Sequence, residues 1–317
     1  MMAPTLVTIG ITCFNAEGTI RRAIHSALNQ DWPDCEVVVV DDASTDQSVA
    51  AVMREIEGEP TARLVRHTEN KGPAAARNTV LDQALGSFVA FIDDDDEALS
   101  GRISAQVSAL QQFEKETGAD LIACYASGRR LYDNGYSLEL PAIGSRGSVA
   151  PSGHGVADYL LFGHRRSDWF YGGGTPACSV LARRTTFARV GGFDEAFARV
   201  EDADFAIRLA LIGGHFIGTS EVQFIQHATS APDKSHEKNL QAELHLAEKH
   251  KNYLSSIGRY HYASHWPKLR YWHFKHNYWR FFWEFLGLLV RYPAAAPRHL
   301  LSTGPSRLLH ERRMGEP

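Results

Sequence analysis

The sequence predicts an α/β fold: a mainly parallel sheet flanked by helices, followed by a helical C-terminal tail. Three observations predict it. Short β-branched runs alternate with stripes of helical period through the first hundred residues, as repeated strand–helix–strand units do. Two of these runs end in acids, Asp41-Asp42 and Asp93-Asp94-Asp95-Asp96, and parallel sheets take up ligands beyond the carboxyl ends of their strands. From about Lys234 onward the chain reads as helical, then basic and aromatic.

The elements follow in order. Residues 6–12 place Val7, Ile9 and Ile11 at period two, a strand. Ile20, Ala23, Ile24, Ala27 and Leu28 recur at helical spacing. Residues 36–40 are a β-branched run, the mark of a strand buried on both faces. Ser44-Thr45-Asp46-Gln47 reads as a capping box opening a helix whose buried stripe is Val49, Val52, Met53 and Ile56. Residues 62–66 form a third strand, and an Ala-rich helix runs from Gly72 to Leu85, ended by Gly86. Residues 88–92 are the fourth strand and deliver the acids. Ile103, Val107 and Leu110 mark a helix, and residues 121–125 a strand. Residues 127–175, rich in Gly, Ser, Arg and Tyr, give no secure assignment, although Gly172-Gly173-Gly174 suggests a flexible turn or a close backbone approach. Regularity returns with a strand at 179–182, a helix carrying Asp202, Phe205, Leu209 and Ile212, and a closing strand at 221–226. There is no internal repeat.

The chain has 317 residues, 44% hydrophobic and 22% charged, which suits one large domain with an appendage, or two domains. The net charge of −4 is unevenly spread: Arg259 to Arg313 holds ten Lys/Arg against Glu284 and Glu311. That leaves this stretch at +8 and the rest at −12. Cys13, Cys35, Cys124 and Cys178 are scattered without CxxC spacing, so reduced, mostly buried thiols of a cytosolic protein are expected rather than a zinc site. The N-terminus lacks a basic n-region, so no signal peptide is expected. No apolar run approaches the roughly 20 residues a membrane span needs.

The acids carry the chemistry. Four adjacent carboxylates at a strand end repel one another, and a hard divalent cation, Mn²⁺ or Mg²⁺, would offset that cost. A nucleoside diphosphate would then bind the exposed side of the metal. The second cluster, Glu201-Asp202-Ala203-Asp204-Phe205, follows the turn Gly191-Gly192-Phe193-Asp194-Glu195 and offers a base.

Five pieces stand in order: residues 7–15 (VTIGITCFN), residues 40–46 (VDDASTD), residues 70–78 (NKGPAAARN), the triplet Asp93-Asp94-Asp95, and residues 191–195 (GGFDE) leading to Glu201-Asp202. In this order and spacing, covering roughly residues 5–230, they resemble the family-2 inverting glycosyltransferases with the GT-A fold. The resemblance implies a catalytic domain over 1–232, with a nucleotide-binding half at 1–97 and an acceptor half at 98–232, and a C-terminal extension over 233–317. It implies a nucleotide-sugar donor, by default UDP-linked, and a glycan or lipid-linked glycan acceptor.

By this resemblance Asp42 receives the imide N–H of the base, or caps the following helix. Thr12, Phe14 and Asn15 end the first strand beside it, as pocket wall or as core. Arg77 reaches the diphosphate, structures the pocket or forms a surface salt bridge. Asp95 is the direct metal ligand and Asp93 holds the ribose or a metal-bound water, with Asp94 grouped among the donor contacts. Asp202 is the general base and Glu201 shapes the acceptor site. His227 is a metal or phosphate ligand, or an ordinary polar histidine, and Arg208 supports its helix. The Gln/Arg-x-x-Arg-Trp signature of processive members is missing, since the corresponding residues are Ala206-Ile207-Arg208-Leu209-Ala210; transfer of one sugar per encounter is expected.

The tail from Tyr271 to Trp283 mixes rings with cations, which suits the headgroup level of an anionic membrane, or a helical hairpin or dimer contact. No nucleic-acid module accompanies it. A sugar-nucleotide pyrophosphorylase would need a Gly-rich, basic loop after strand one, where Cys13-Phe14-Asn15-Ala16-Glu17 stands; a dehydrogenase would need GxGxxG. A catalytically silent protein recruited to membrane is the remaining alternative, and Asp95 and Asp202 count against it. The expected location is cytoplasmic, with peripheral contact at the inner membrane face.

Overall fold

The computed structural model describes residues 5–228 and 235–315. The expected boundary at 232/233, the tail's start at Lys234 and residues 1–4 lie outside the described residues. Contacts divide the chain into two units. One runs to Leu131 and adds Ser137–Val156 and the stretch from Arg166 through the last strand. The other holds Tyr132–Tyr136, Ala157–Arg165 and the C-terminal helices.

The first unit begins β1 (Val7–Cys13), α1 (Ile20–Leu28), β2 (Cys35–Asp41), α2 (Ser48–Glu55), β3 (Ala62–Arg66), α3 (Pro73–Gln83), β4 (Phe88–Asp93). The chain continues β5 (Asp96–Ala98), α4 (Arg102–Thr117), β6 (Ile122–Leu131), β7 (Ser137–Leu140), α5 (His154–Phe162), whose residues from Ala157 on belong to the second unit, then β8 (Val180–Arg183), α6 (Arg184–Val190), α7 (Glu201–Leu211), β9 (His215–His227). The strand order is β3-β2-β1-β4-β8-β6-β9-β5, with β7 on β6. Strands β3, β2, β1 and β4 are all parallel, as the alternation predicts. β6 and β9 pair parallel, while β8, β7 and β5 join antiparallel.

The parallel strands are apolar because both faces are covered. Val7, Ile9 and Ile11 of β1, Val37 and Val39 of β2, and Phe88, Ala90 and Ile92 of β4 pack with Ile20, Ile24 and Ala27 of α1 and Ile103, Val107 and Leu110 of α4. On the other face Gly10 lets α3 approach: a Cβ there would lie 2.3 Å from Val80 Cγ1.

Several expectations need correction. The capping box does not form: α2 starts at Ser48 without a side-chain cap from Gln47. The Ser44 hydroxyl instead accepts the Asn15 N–H, and Asp46 Oδ1 accepts the Ser48 N–H at 2.9 Å. Of the expected α2 stripe Val52 is buried and Ile56 packs against the same core, whereas Met53 is exposed. The unassigned region 127–175 holds the end of β6, β7 and α5. Gly172 does mark a close approach: at φ 56, its Cβ would meet Pro141 O at 2.1 Å.

The second unit is helical: α8 (His236–Lys249), α9 (Lys251–Ser256), α10 (Tyr260–Phe274), α11 (Tyr278–Arg291) and α12 (Ala295–Gly315). Tyr262, Leu269, Leu288 and Ala296 form its core with Trp266, Phe281 and Phe285. Among the described residues no helix is long and apolar enough to cross a membrane.

The Gly10–Val80 contact yields a stability prediction. Val80 is stiff at χ1 and cannot swing away from an added methyl. Gly10→Ala should cost about 1–3 kcal/mol in urea unfolding, and Val80→Ala in the same chain should recover part of it. A Gly10→Ala chain as stable as the parent would show that α3 is not held this closely.

Candidate active site

Sheet register builds the site. Cys13 pairs with Asp41 and Thr12 with Asp93, so β1, β2 and β4 end level with one another. Beyond β1 the Phe14 N–H donates to Asp94 Oδ2 at 3.0 Å, tying the strand end to the acid turn. Asn15, at φ 50, donates its N–H to Ser44 Oγ at 3.0 Å and accepts the Thr45 N–H on Oδ1 at 2.8 Å. Thr12, Phe14, Asn15, Asp93 and Asp94 thus meet along one sheet edge.

Asp42 is buried and busy. Its Oδ2 accepts the Gly72 N–H at 2.7 Å, and its Oδ1 accepts the Lys71 N–H at 2.9 Å with His67 Nδ1 at 2.6 Å. It therefore anchors the loop that starts α3. Asp41 was overlooked in the sequence. Its carboxylate is fully buried, Oδ2 accepts the Ser44 N–H at 3.3 Å, and Oδ1 has no hydrogen-bond partner. The pair Asp41-Asp42 was the available signal, but not which member turned inward.

Asp94 and Asp95 form the turn between β4 and β5. Arg22 of α1 donates to the Asp95 carbonyl at 2.6 Å, a contact between residues 73 apart that no local pattern announces. Asp96 points inward. It is buried beside Cys178, whose thiol hydrogen-bonds to it, and near the fully buried Arg102. Arg102 donates to Phe91 O at 2.9 Å and to Gln106 Oε1 at 2.9 Å, fixing the floor of the turn.

The second acid cluster reaches the same place through Arg77. This arginine is buried on α3. It donates through one amino group to Asp93 Oδ1 at 3.0 Å and through the other to Glu201 Oε1. Its guanidinium also lies 5.6 Å from the Phe193 ring. Glu201 and Asp202 open α7 after Val200, which holds φ 60. A left-handed conformation in a β-branched residue is strained, and such strain gathers at functional sites. Arg208 donates to Asp204, Val190 O and Gly192 O, a supporting role for the helix.

His227 ends β9, beside β5. Asp96 pairs with Gln226, so the ladder stops one residue short of setting His227 opposite Asp95. Its Nε2 is buried, lacks a hydrogen-bond partner and lies 3.8 Å from Glu97 Oε2. Ligand atoms of Asp93, Asp96 and Cys178 also lie within 4.8 Å of one another. The donors fit a hard divalent cation unevenly. The carboxylates suit Mn²⁺ or Mg²⁺; an imidazole nitrogen fits Mn²⁺ better than Mg²⁺, and the soft sulfur of Cys178 fits neither.

Burial and like charge disturb the acids. Burial pushes the Asp94 carboxyl up to about 7, with Asp93 and Asp95 adding to the rise against the Phe14 N–H. Burial, then Asp93 and Asp95, also raises Asp96. Asp202 is raised by burial and by Glu201, while Arg77 opposes the shift. Since Asp94 rises from 3.8 to about 7, the unfolded chain ionises first, and this group costs stability increasingly as pH climbs between those values. Asp94→Asn carries no such cost and can still accept the Phe14 N–H. In metal-free buffer its melting temperature relative to the parent should therefore rise from pH 4 to 7 and level off above. A difference that stays flat or falls would place Asp94 in water rather than in this turn.

Comparisons with known proteins agree on the family. The description "Glycosyl transferase family 2" matches residues 8–150. The succinoglycan biosynthesis protein ExoO of Rhizobium meliloti is 39% identical over 224 residues, 70% of this chain and 60% of that protein. An uncharacterized glycosyltransferase of Haemophilus influenzae is 34% identical over 127 residues, 40% of this chain and 51% of that one. The UDP-Glc:alpha-D-GlcNAc-diphosphoundecaprenol beta-1,3-glucosyltransferase WfgD of Escherichia coli is 36% identical over 105 residues, 33% of this chain and 41% of that one. The chain thus spans between two fifths and three fifths of these relatives. The crystal structure of S. aureus TarS 1-349 in complex with UDP superposes with a TM-score of 0.55 at 20% identity, covering 76% of this chain and 64% of that one, which establishes the fold. The family match and these likenesses place a glycosyltransferase family 2 domain over residues 8–150, in a chain with the GT-A fold.

Proposed function

We propose that the protein is a metal-dependent inverting glycosyltransferase. It moves one sugar from a UDP-linked donor to an acceptor hydroxyl in the synthesis of bacterial surface polysaccharide or glycolipid. The observation that carries this reading is the Arg77 bridge, which joins Asp93 of the strand-end turn to Glu201 beside Asp202. The names of relatives support the substrate class: ExoO acts in succinoglycan biosynthesis, and WfgD uses UDP-Glc and a diphosphoundecaprenol-linked acceptor. On the same reading the acceptor is lipid-linked and the C-terminal helices meet the membrane that holds it.

Each group has a task in this proposal. Asp95 and Asp93, with His227, would hold the cation. When bound, it neutralises charge building on the departing diphosphate. Thr12, Phe14 and Asn15 line the base and ribose, and Asp42 fixes the loop beneath them. Asp202 takes the proton from the acceptor hydroxyl as that oxygen attacks the anomeric carbon opposite the leaving group. Its raised carboxyl suits a base working near neutral pH. Arg77 holds Glu201 and Asp93 at fixed separation, so the acceptor and donor halves stay aligned.

The test is donor hydrolysis and sugar transfer with and without Mn²⁺ or Mg²⁺. Asp202→Asn should lower kcat by roughly 100- to 10,000-fold. Calorimetric affinity for UDP plus metal should stay unchanged in that variant. Asp95→Ala should abolish the metal dependence of UDP binding. Full transfer activity in Asp202→Asn would overturn the base assignment, and metal-independent turnover in the parent would overturn the cation.

A further inference from the structure

The second unit leaves one helix face without a partner. On α11, Trp279, Phe282, Trp283 and Val290 are each more than half exposed. They recur at i, i+3, i+4 and i+11, a single stripe of the helix. Phe281, Phe285 and Leu288 lie on the other side and pack into the core. A helix apolar on both faces needs a second apolar surrounding.

Beside the stripe runs a groove of about 700 Å³ between α10 and α11. Arg280 and Arg291 line it with His261 and Trp272. Its acid, Glu284, is already engaged by His265 at 2.9 Å. Arg280 stacks 4.4 Å over Trp272, and among the described residues neither Arg280 nor Arg291 has a carboxylate partner. His261 Nδ1 is buried without a hydrogen-bond partner. Such a groove accepts an anion.

The charge balance selects the occupant. Arg280 and Arg291 line the groove against one acid, Glu284, which His265 engages. Two copies of this face would repel each other, whereas an anionic surface would attract it. Indoles flanked by guanidiniums belong at the boundary between headgroups and acyl chains.

We propose that the α11 face docks on an anionic phospholipid bilayer, with the aromatic stripe at the headgroup level and a lipid phosphate in the groove between Arg280 and Arg291. The proposal deepens the lipid-linked acceptor reading and rests on it only for why a membrane matters. Vesicle binding needs no donor, so its failure leaves the transferase reading standing.

The experiment uses the full chain with vesicles of phosphatidylcholine alone or with about 30% phosphatidylglycerol, read by flotation and tryptophan fluorescence. Anionic vesicles should bind the protein and blue-shift its emission; neutral ones should bind far less, and high salt should weaken the difference. Trp279→Ser/Trp283→Ser and Arg280→Gln/Arg291→Gln should each lower partitioning by about tenfold or more. Far-UV circular dichroism and melting temperature should match the parent, because these side chains are exposed. Parent-like binding by the tryptophan variant, or equal binding of the parent to both vesicle types, overturns the proposal. So does a dimer in sedimentation that the tryptophan variant dissociates while vesicles go unbound.

Discussion

One buried guanidinium holds the candidate site together. Arg77 lies on α3, yet its carboxylate partners come from the end of β4 and the start of α7, the latter 124 residues away. Removing an arginine from such a position leaves carboxylates buried and uncompensated, which costs more than the bridge itself contributes. The ion pairs are therefore better read as a device of position than of stability. They decide where the second acid cluster sits relative to the first.

The position of Arg77 has its own supports. Asp42 gathers the Lys71 and Gly72 amides. Gly72, at φ 88, turns the chain into Pro73, the first residue of α3. Gly10 then lets α3 lie close against β1 through Val80. A buried carboxylate, a left-handed glycine and a missing Cβ thus all act on the same helix. Disturbing any of them moves Arg77, and with it Glu201 and Asp202.

The strand–helix alternation and the strand-end acids were legible because period-two runs and carboxylate clusters are local facts. The first four strands and their parallel pairing follow from them, whereas their order and register come only from the fold. Arg77 was legible as important, but its partner was not, since three readings remained open until the fold brought residues 77, 93 and 201 together. Asp96 could not be told from its neighbours by sequence; only burial against Cys178 and Arg102 separates it. The capping box failed because Asn15, 29 positions earlier, claims the Ser44 hydroxyl. Residues 127–175 resisted assignment because β7 is a short strand with alternating exposure and α5 is only nine residues long. Such elements are set by their neighbours rather than by their own pattern.

The electrostatics of the site argue for a dedicated counter-charge. Asp93, Glu201 and Asp202 act on the buried Arg77, while Asp94 sits against Asp93 and Asp95. Arg102 lies below the turn; its ionisation is depressed to about 10, first by its own burial, so it stays charged at neutral pH and offsets part of the rise at Asp96. Burial first, and after it the deficit of positive charge, raises the carboxyls of Asp94, Asp96 and Asp202. A fold can meet such a deficit with protons or with a cation. Protons would leave Asp202 unable to act as a base. A cation on Asp93 and Asp95 would free it to do so, because positive charge at the turn favours the ionised form of every acid near it. On the proposed reading, then, the cluster that binds the donor also sets the protonation of the residue that activates the acceptor, and the two halves of the reaction share one electrostatic balance.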